Sequence, residues 1–201
     1  MITLYDSRLS GNGWKVRLLL SHLGIPYTRQ VLNVAAGEQK NPEFLKLNPL
    51  ARVPVLLLED GTAISESNAI LFYLAQGTPF LPSGRADAAR VMQWLFFEQF
   101  DHARFLARPR FLVAIAKQEE KFKDEIEYLR QIGQKALAAL EAQLARTPFV
   151  TGNQYTIADT SLYPYTSMAE MGGYQLAAYP AVCAWLERVR SQPGFIPLFV
   201  E

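Results

Sequence analysis

A short segment at residues 77–84 divides the chain into two parts with different sequence patterns. It contains two prolines and two glycines, so it cannot continue a helix and is typical of a linker. Before this segment strand patterns alternate with helical spacings, whereas beyond it the strand patterns disappear and long helical spacings take over. We therefore expect two domains, residues 1–76 and 87–201, joined by a linker at residues 77–86.

The first domain is predicted to be α/β. Apolar, β-branched and aromatic runs predict four strands, at residues 2–5, 27–32, 53–58 and 62–64. The last two runs are joined through Asp60-Gly61, a strong hairpin signal. Three helices are predicted, near Trp14, from Pro42 and after Ser67. This order, βαβ followed by αββα, is that of a thioredoxin-like domain.

The second domain is predicted to be all-helical. Its helical stretches are residues 86–116, 119–145, a segment that opens at Thr156, and residues 180–189. Thr156 and Asp159 are three residues apart, which is the spacing of a capping box rather than of a catalytic hydroxyl–carboxylate pair. The predicted fold class is therefore α/β plus all-α, with a helical bundle as the second domain.

Composition excludes several function classes. Twenty basic and nineteen acidic residues give a formal net charge of +1, which argues against nucleic-acid binding. The single cysteine, Cys183, and the two histidines predict no internal disulfide, no CxxC pair and no metal centre. No basic leader and no apolar run of about eighteen residues is found, so we expect a cytoplasmic protein that binds no membrane.

Several short motifs occur in a specific order. Arg52-Val53-Pro54-Val55-Leu56 is followed by Asp60-Gly61, then by the residues from Ile64 to Ile70 and by Tyr73-Leu74, and Thr156-Ile157-Ala158-Asp159 occurs in the second part. With these motifs the chain resembles the cytosolic glutathione transferases over essentially its whole length. The resemblance implies glutathione as co-substrate, a homodimer, and a helical domain that contributes the cleft for a hydrophobic electrophile.

The loop after the first strand indicates which class of the family the chain resembles. Ser10-Gly11-Asn12, followed by Trp14-Lys15-Val16-Arg17, is similar to the Ser- or Asn-type bacterial members, of the theta, beta and nu kind. The tyrosine-type animal classes have a Tyr-Phe step here, but Asp6 follows Tyr5. The cysteine of the beta and omega classes is also absent from this loop.

Glutathione needs an anchor for its γ-glutamyl end and a clamp on its cysteinyl backbone. Glu66 and Ser67 lie at the start of a predicted helix, whose N-terminus attracts a carboxylate, and Glu66 offers a negative partner for the γ-glutamyl ammonium. A serine there could also cap the helix, and both roles can hold at once. The resemblance implies that Pro54 follows a cis bond and that Val53 pairs with the cysteinyl backbone, although a proline there also suits the start of an edge strand.

The glutathione thiol must also be ionised, since the thiolate is the nucleophile. Ser10, Asn12 and Tyr5 are the candidates for contacting the sulfur, and Ser10 or Asn12 could instead be the cap of the first helix. The resemblance offers Lys40 and Arg52 for the glycyl carboxylate, although an exposed loop lysine is usually only a solvated charge.

Three functions remain open at this point. The first is conjugation of the glutathione thiolate to hydrophobic electrophiles. The second is a glutathione-dependent peroxidase or disulfide reductase on the same scaffold, and the third is a non-catalytic glutathione-binding or regulatory module. His102, on the first long helix, could polarise an electrophile or be an ordinary polar residue of the helix.

Overall fold

The computed structural model describes residues 1–199. The chain divides into two compact units. The first comprises residues 1–76 together with the tail that begins at Pro193, and the second comprises residues 77–192.

The first unit is a thioredoxin-like domain. Its sheet has the order β2-β1-β3-β4, with β2 parallel and β3 antiparallel to β1, and β4 antiparallel to β3. The strands are β1 (Thr3–Asp6), β2 (Thr28–Val31), β3 (Val55–Leu57) and β4 (Ala63–Ser65). The helices are α1 (Gly11–His22), α2 (Pro42–Leu47) and α3 (Ser67–Ala75), with a 3₁₀ turn at Glu38–Lys40. The predicted α/β class of this half is confirmed.

The core of this unit joins the sheet to α1 and α3. Its fully buried residues are Leu4 and Leu56 from the sheet, Val16 and Leu20 from α1, and Ile70 from α3. In α1 and α3 the apolar positions recur at helical spacing, so each helix can set these side chains against one face of the sheet.

The strand register brings four chain segments to one edge of the sheet. Asp6 at the end of β1 pairs with Val31 at the end of β2. At the same edge Val55, the first residue of β3, pairs with both Tyr5 and Ser65. The loop into α1, the segment leaving β2, the segment before β3 and the start of α3 therefore all begin or end at this edge, which we call the carboxyl edge.

The tail packs on α1. The indole N–H of Trp14 donates to the carbonyl of Ile196 at 2.9 Å, and the Arg17 guanidinium donates to the carbonyl of Leu198 at 2.7 Å. The Trp14 ring also meets Phe195 edge-on, at 6.4 Å between centroids. We predicted the tail to be part of the helical domain, but these contacts place residues 193–199 with the first unit.

The second unit is all-helical, as predicted. Its helices are α4 (Arg85–Phe97), α5 (Ala103–Arg110), α6 (Lys123–Leu144), α7 (Ile157–Ser167) and α8 (Pro180–Arg190). Two π-helical turns, Glu98–His102 and Phe111–Ile115, interrupt the stretch that the sequence predicts as one helix. Helix α4 starts at Arg85, inside the predicted linker, with Asp87 in its first turn where a negative charge is favourable.

The predicted capping box opens α7. The Thr156 side chain accepts from the N–H of Ala158, and the Asp159 carboxylate accepts from the N–H of Thr156. The same carboxylate accepts from the N–H of Val150 and from the indole N–H of Trp185. Burial raises the pKa of Asp159 to about 6, while these donors favour its ionised form. Asp159 is thus a structural residue of the helical unit.

Candidate functional site

Ser10 caps α1 at the carboxyl edge. Its hydroxyl oxygen accepts from the N–H of Gly13 at 3.0 Å, and the helix continues from there. A serine hydroxyl that accepts this bond still has its own hydrogen to donate. Ser10 can therefore cap the helix and donate a hydrogen bond to a ligand atom at the same time, so the two roles left open by the sequence do not exclude each other.

Asn12 lies in the first turn of α1. Its side chain is half-buried, and within residues 1–199 its Oδ1 atom has no hydrogen-bond partner. Tyr5 lies elsewhere: it alternates with the core-facing Leu4 along β1, and its ring packs against Phe44 of α2 at 5.6 Å between centroids. Ser10 and Asn12 are therefore better placed than Tyr5 to act at the start of α1.

A buried carboxylate, Asp6, supports the loop into α1. It accepts from the N–H of Ser7 at 2.6 Å and forms ion pairs with Arg17 at 3.0 Å and Arg29 at 2.8 Å. A Cβ atom at Gly13 would overlap this carboxylate, so the close approach of α1 to β1 requires glycine. The sequence alone did not predict this support, because nothing local links an aspartate at position 6 to arginines at 17 and 29.

The segment before β3 has the geometry that the resemblance implies. The Val53–Pro54 peptide bond is cis. The side-chain amide of Asn48 donates to the carbonyl of Arg52 at 2.8 Å and holds this segment. Among residues 1–199 the main-chain N–H and C=O of Val53 make no hydrogen bond, so both groups can pair with an extended ligand.

The start of α3 is open to a ligand. Glu66 has a φ of 67°, a left-handed conformation that is uncommon for a residue with a side chain and often occurs at binding sites. Its carboxylate is exposed and makes no hydrogen bond to the helix N-terminus. Ser67 is 3% exposed, and no acidic residue occupies the first turn, so the helix N-terminus retains its partial positive charge.

Lys15 connects α1 to this position. Its side chain is fully buried, and its ammonium lies 3.4 Å from the Ser67 hydroxyl oxygen. In the sequence Lys15 is part of the motif that follows Asn12, but no role was predicted for it. The signal that could have identified it is a lysine inside an otherwise apolar helix, since lysine is seldom fully buried without a partner.

Known proteins show which family has this arrangement. Residues 9–76 match the glutathione S-transferase N-terminal domain, and residues 103–193 match the glutathione S-transferase C-terminal domain. The chain belongs to the glutathione S-transferase family. The crystal structure of a glutathione S-transferase from Pseudomonas fluorescens superposes with a TM-score of 0.97, at 42% identity over 99% of both chains.

Curated relatives of this chain carry different names. The disulfide-bond oxidoreductase YfcG of Escherichia coli is 32% identical over 96% of this chain and 92% of its own length. The transcriptional regulator URE2 of Saccharomyces cerevisiae is 30% identical over 96% of this chain. The chain spans 66% of the length of that regulator. A structure of Ure2p in complex with glutathione superposes with a TM-score of 0.86, at 27% identity over 96% of this chain and 90% of that one.

The basic candidates for the glycyl carboxylate are both exposed. Lys40 ends the 3₁₀ turn on the segment that leaves β2, and Arg52 precedes the cis bond. Neither side chain has an ion pair among residues 1–199. Their charges are therefore available to an anion, but no contact within the chain fixes their direction.

The side chain of His102 is not exposed to solvent. It is fully buried in the helical unit, at the end of the first π-helical turn, and one ring nitrogen lies 2.8 Å from the Thr166 hydroxyl oxygen. The Thr166 hydroxyl donates to the carbonyl of Leu162, so the histidine nitrogen is the donor to Thr166. Through this bond His102 has a structural role in the bundle.

Two further findings concern the part of the chain that the structure describes. No group of three or more His, Cys, Asp or Glu side chains is arranged to hold a metal ion. None of the described helices is long and apolar enough to cross a membrane.

Proposed function

We propose that this protein binds glutathione at the carboxyl edge of its thioredoxin-like domain and transfers the thiolate to a hydrophobic electrophile. The observation that carries the proposal is the open start of α3. There Ser67, the first-turn N–H groups and the exposed Glu66 offer donors for a carboxylate and a negative partner for an ammonium. These are the two charges at the γ-glutamyl end of glutathione.

The rest of the tripeptide has partners on neighbouring segments. The main-chain groups of Val53, before Pro54, pair with the cysteinyl backbone as an added strand would. Lys40 is the first candidate for the glycyl carboxylate, and Arg52 is the alternative. Neither side chain has an ion-pair partner in residues 1–199, so either charge is available to this carboxylate.

The thiol is activated at the start of α1. A free thiol with a pKa of about 8.5 is mostly protonated at neutral pH, so catalysis requires that the thiolate be favoured. The hydroxyl hydrogen of Ser10, the side-chain N–H groups of Asn12 and the N-terminal dipole of α1 would all favour a negative sulfur. The thiolate then attacks the electrophilic carbon, a carbon–sulfur bond forms, and the leaving group departs with its electron pair.

A second candidate is glutathione-dependent disulfide reduction. It is favoured by the match to the disulfide-bond oxidoreductase YfcG, which extends over 92% of that protein. In this reaction the same thiolate attacks a disulfide sulfur, a mixed disulfide forms and a thiolate leaves. Peroxide reduction would use the same thiolate, and a non-catalytic role is favoured only by the name of URE2 as a transcriptional regulator.

We also propose a homodimer. The surface at the end of α4 and in the π-helical turn after it supports the dimer, because Phe96 is 66% exposed and Phe100 is 79% exposed. Neighbouring exposed aromatic side chains often mark an interaction surface. Sedimentation should therefore give a mass of about twice 22.6 kDa. A stable species of 22.6 kDa at micromolar concentration would contradict the dimer.

Calorimetry with glutathione tests the binding site. Replacing Ser67 by alanine should weaken binding by about 1–3 kcal/mol, because the ligand carboxylate loses a buried donor. Ser83→Ala, the same change at an exposed serine, is the control and should bind as wild type does. Unchanged affinity in the Ser67 variant would remove that residue from the site.

An activity panel separates the reactions. The wild-type protein is assayed with glutathione and an aryl halide, an organic hydroperoxide or a mixed disulfide. Turnover of the aryl halide supports conjugation. Turnover of the mixed disulfide alone would replace conjugation by disulfide reduction, and binding without any turnover would support the regulatory role.

A further inference from the structure

Lys15 occupies an unusual position for a lysine. Its side chain is fully buried on α1, and its ammonium lies 3.4 Å from the hydroxyl oxygen of Ser67 on α3. Lys15 is three residues after Asn12 and therefore shares its face of the helix. A buried lysine at this place directly supports the residue to which the proposed function assigns the γ-glutamyl carboxylate.

The chemistry of an ammonium fixes the direction of this hydrogen bond. Lysine has three N–H donors and no acceptor, so the Ser67 oxygen accepts and Lys15 donates. The hydroxyl hydrogen of Ser67 must then find another acceptor. Within residues 1–199 the structure shows no acceptor for it, and Ser67 is only 3% exposed to solvent. A buried donor without a partner is costly, so this hydrogen favours an acceptor brought by a ligand.

We propose that Lys15 is a positioning residue for glutathione specificity. By donating to Ser67, it directs the Ser67 hydroxyl hydrogen toward the γ-glutamyl carboxylate and makes that carboxylate a requirement for tight binding. The inference rests on the proposed glutathione site, to which it adds a residue and a reason for selectivity.

The other groups at the start of α3 favour the same ligand chemistry. The first-turn N–H groups of the helix are donors, as is the directed Ser67 hydroxyl. A ligand group that accepts from all of them without offering a hydrogen is a carboxylate. A ligand that carries a hydrogen atom instead of this carboxylate leaves the buried Ser67 hydroxyl without an acceptor. Such a ligand should therefore bind more weakly than glutathione.

Calorimetry with two ligands tests the inference. One ligand is glutathione, and the other is γ-aminobutyryl-cysteinyl-glycine, which lacks only the α-carboxylate of the γ-glutamyl group. Wild type should prefer glutathione by about ten-fold or more. Lys15→Met has a similar length and no donor, and should lower this preference by about ten-fold, mainly through weaker glutathione binding. Lys46→Met removes one exposed positive charge from the same domain and should leave the preference unchanged.

A double-mutant cycle separates positioning from direct attraction. If Lys15 acts through Ser67, then Lys15→Met should change the preference little in a Ser67→Ala background. An equal loss in both backgrounds would mean that Lys15 acts on the ligand by itself, and would overturn the inference. Lys15→Arg, which keeps a donor, should restore part of the preference.

The folding of the Lys15 variants is measured separately from ligand binding. Removing one buried polar partner can destabilise the fold, so circular dichroism melting checks that the variant is folded. If Lys15→Met does not fold, Lys15→Gln, which is too short to hold Ser67 at the same distance, passes through the same cycle. Wild type that binds no glutathione would refute the proposed function itself. Wild type that binds with a preference that Lys15 variants leave unchanged would refute only the role of Lys15.

Discussion

Replacing Asp159 by alanine should destabilise the helical unit by an amount that depends on pH. The carboxylate is fully buried and is held by the N–H of Val150 at 3.0 Å, the N–H of Thr156 at 3.0 Å and the indole N–H of Trp185 at 2.9 Å. Alanine leaves these three buried donors without an acceptor, at about 1–3 kcal/mol each. Even the lower end, about 3 kcal/mol, is a large part of the roughly 5–15 kcal/mol that typically separates folded from unfolded states.

The pH dependence follows from the raised pKa of Asp159. Burial raises the pKa from 3.8 to about 6 in the folded protein, so the folded state holds the proton more tightly than the unfolded state. The contribution of this group to stability is therefore complete below about pH 4 and is lost as the pH rises through about 6. A shift of about two units corresponds to about 3 kcal/mol. Because alanine does not titrate, the cost of the substitution should be smaller at neutral pH than near pH 4 by about 2–3 kcal/mol.

Urea unfolding followed by circular dichroism measures both effects. Wild type and Asp159→Ala are unfolded at several pH values between about 4 and about 7, where the pKa shift acts. Asp101→Ala, an exposed position of the same unit, is the control and should change the unfolding free energy by less than about 0.5 kcal/mol. A cost that grows with rising pH would show that the hydrogen bonds outweigh burial and would refute the reasoning. A variant as stable as wild type but without activity would make Asp159 a chemical residue.

Two further predictions concern the first unit. Ending the chain at Gln192 removes the tail carbonyls that accept from Trp14 and Arg17, so we expect a lower melting temperature and a red shift of tryptophan fluorescence; an unchanged melting temperature would contradict the packing of the tail. Ser10→Ala and Asn12→Ala should each raise the pKa of bound glutathione, read from thiolate absorbance, and the larger effect identifies the sulfur contact. No change in either variant would remove both from catalysis.

The sequence predicted those features that depend on local patterns. Alternating apolar runs, Asp60-Gly61 and the proline-rich segment at 77–84 were sufficient for the α/β and all-α halves. The capping box was predictable because Thr156 and Asp159 are only three residues apart. The sequence also predicted a helix start next to Glu66 and Ser67, and the structure begins α3 at Ser67; that a ligand binds there stays a prediction.

Features that depend on distant partners were not predictable. The tail packs on α1 through two hydrogen bonds whose partners are separated by 181 and by 182 positions in the sequence. No local pattern encodes such a contact. The π-helical turns of the second unit carry no sequence signal that distinguishes them from the surrounding α-helix. The role of Lys15 needs the fold as well, because its partner Ser67 lies 52 residues away.

The sequence of helix α1 differs from the amphipathic pattern of an ordinary surface helix. Every residue from Gly13 to Leu20 is buried, so this helix lacks the polar face that a surface helix needs. Its two buried charges break the apolar pattern, and they act at different places, because Arg17 pairs with Asp6 and holds the tail, whereas Lys15 contacts Ser67. Sequences that violate a local rule usually do so at functional or strained sites. The pattern of α1 is therefore explained by these buried contacts with Asp6, the tail and Ser67 rather than by helix stability alone.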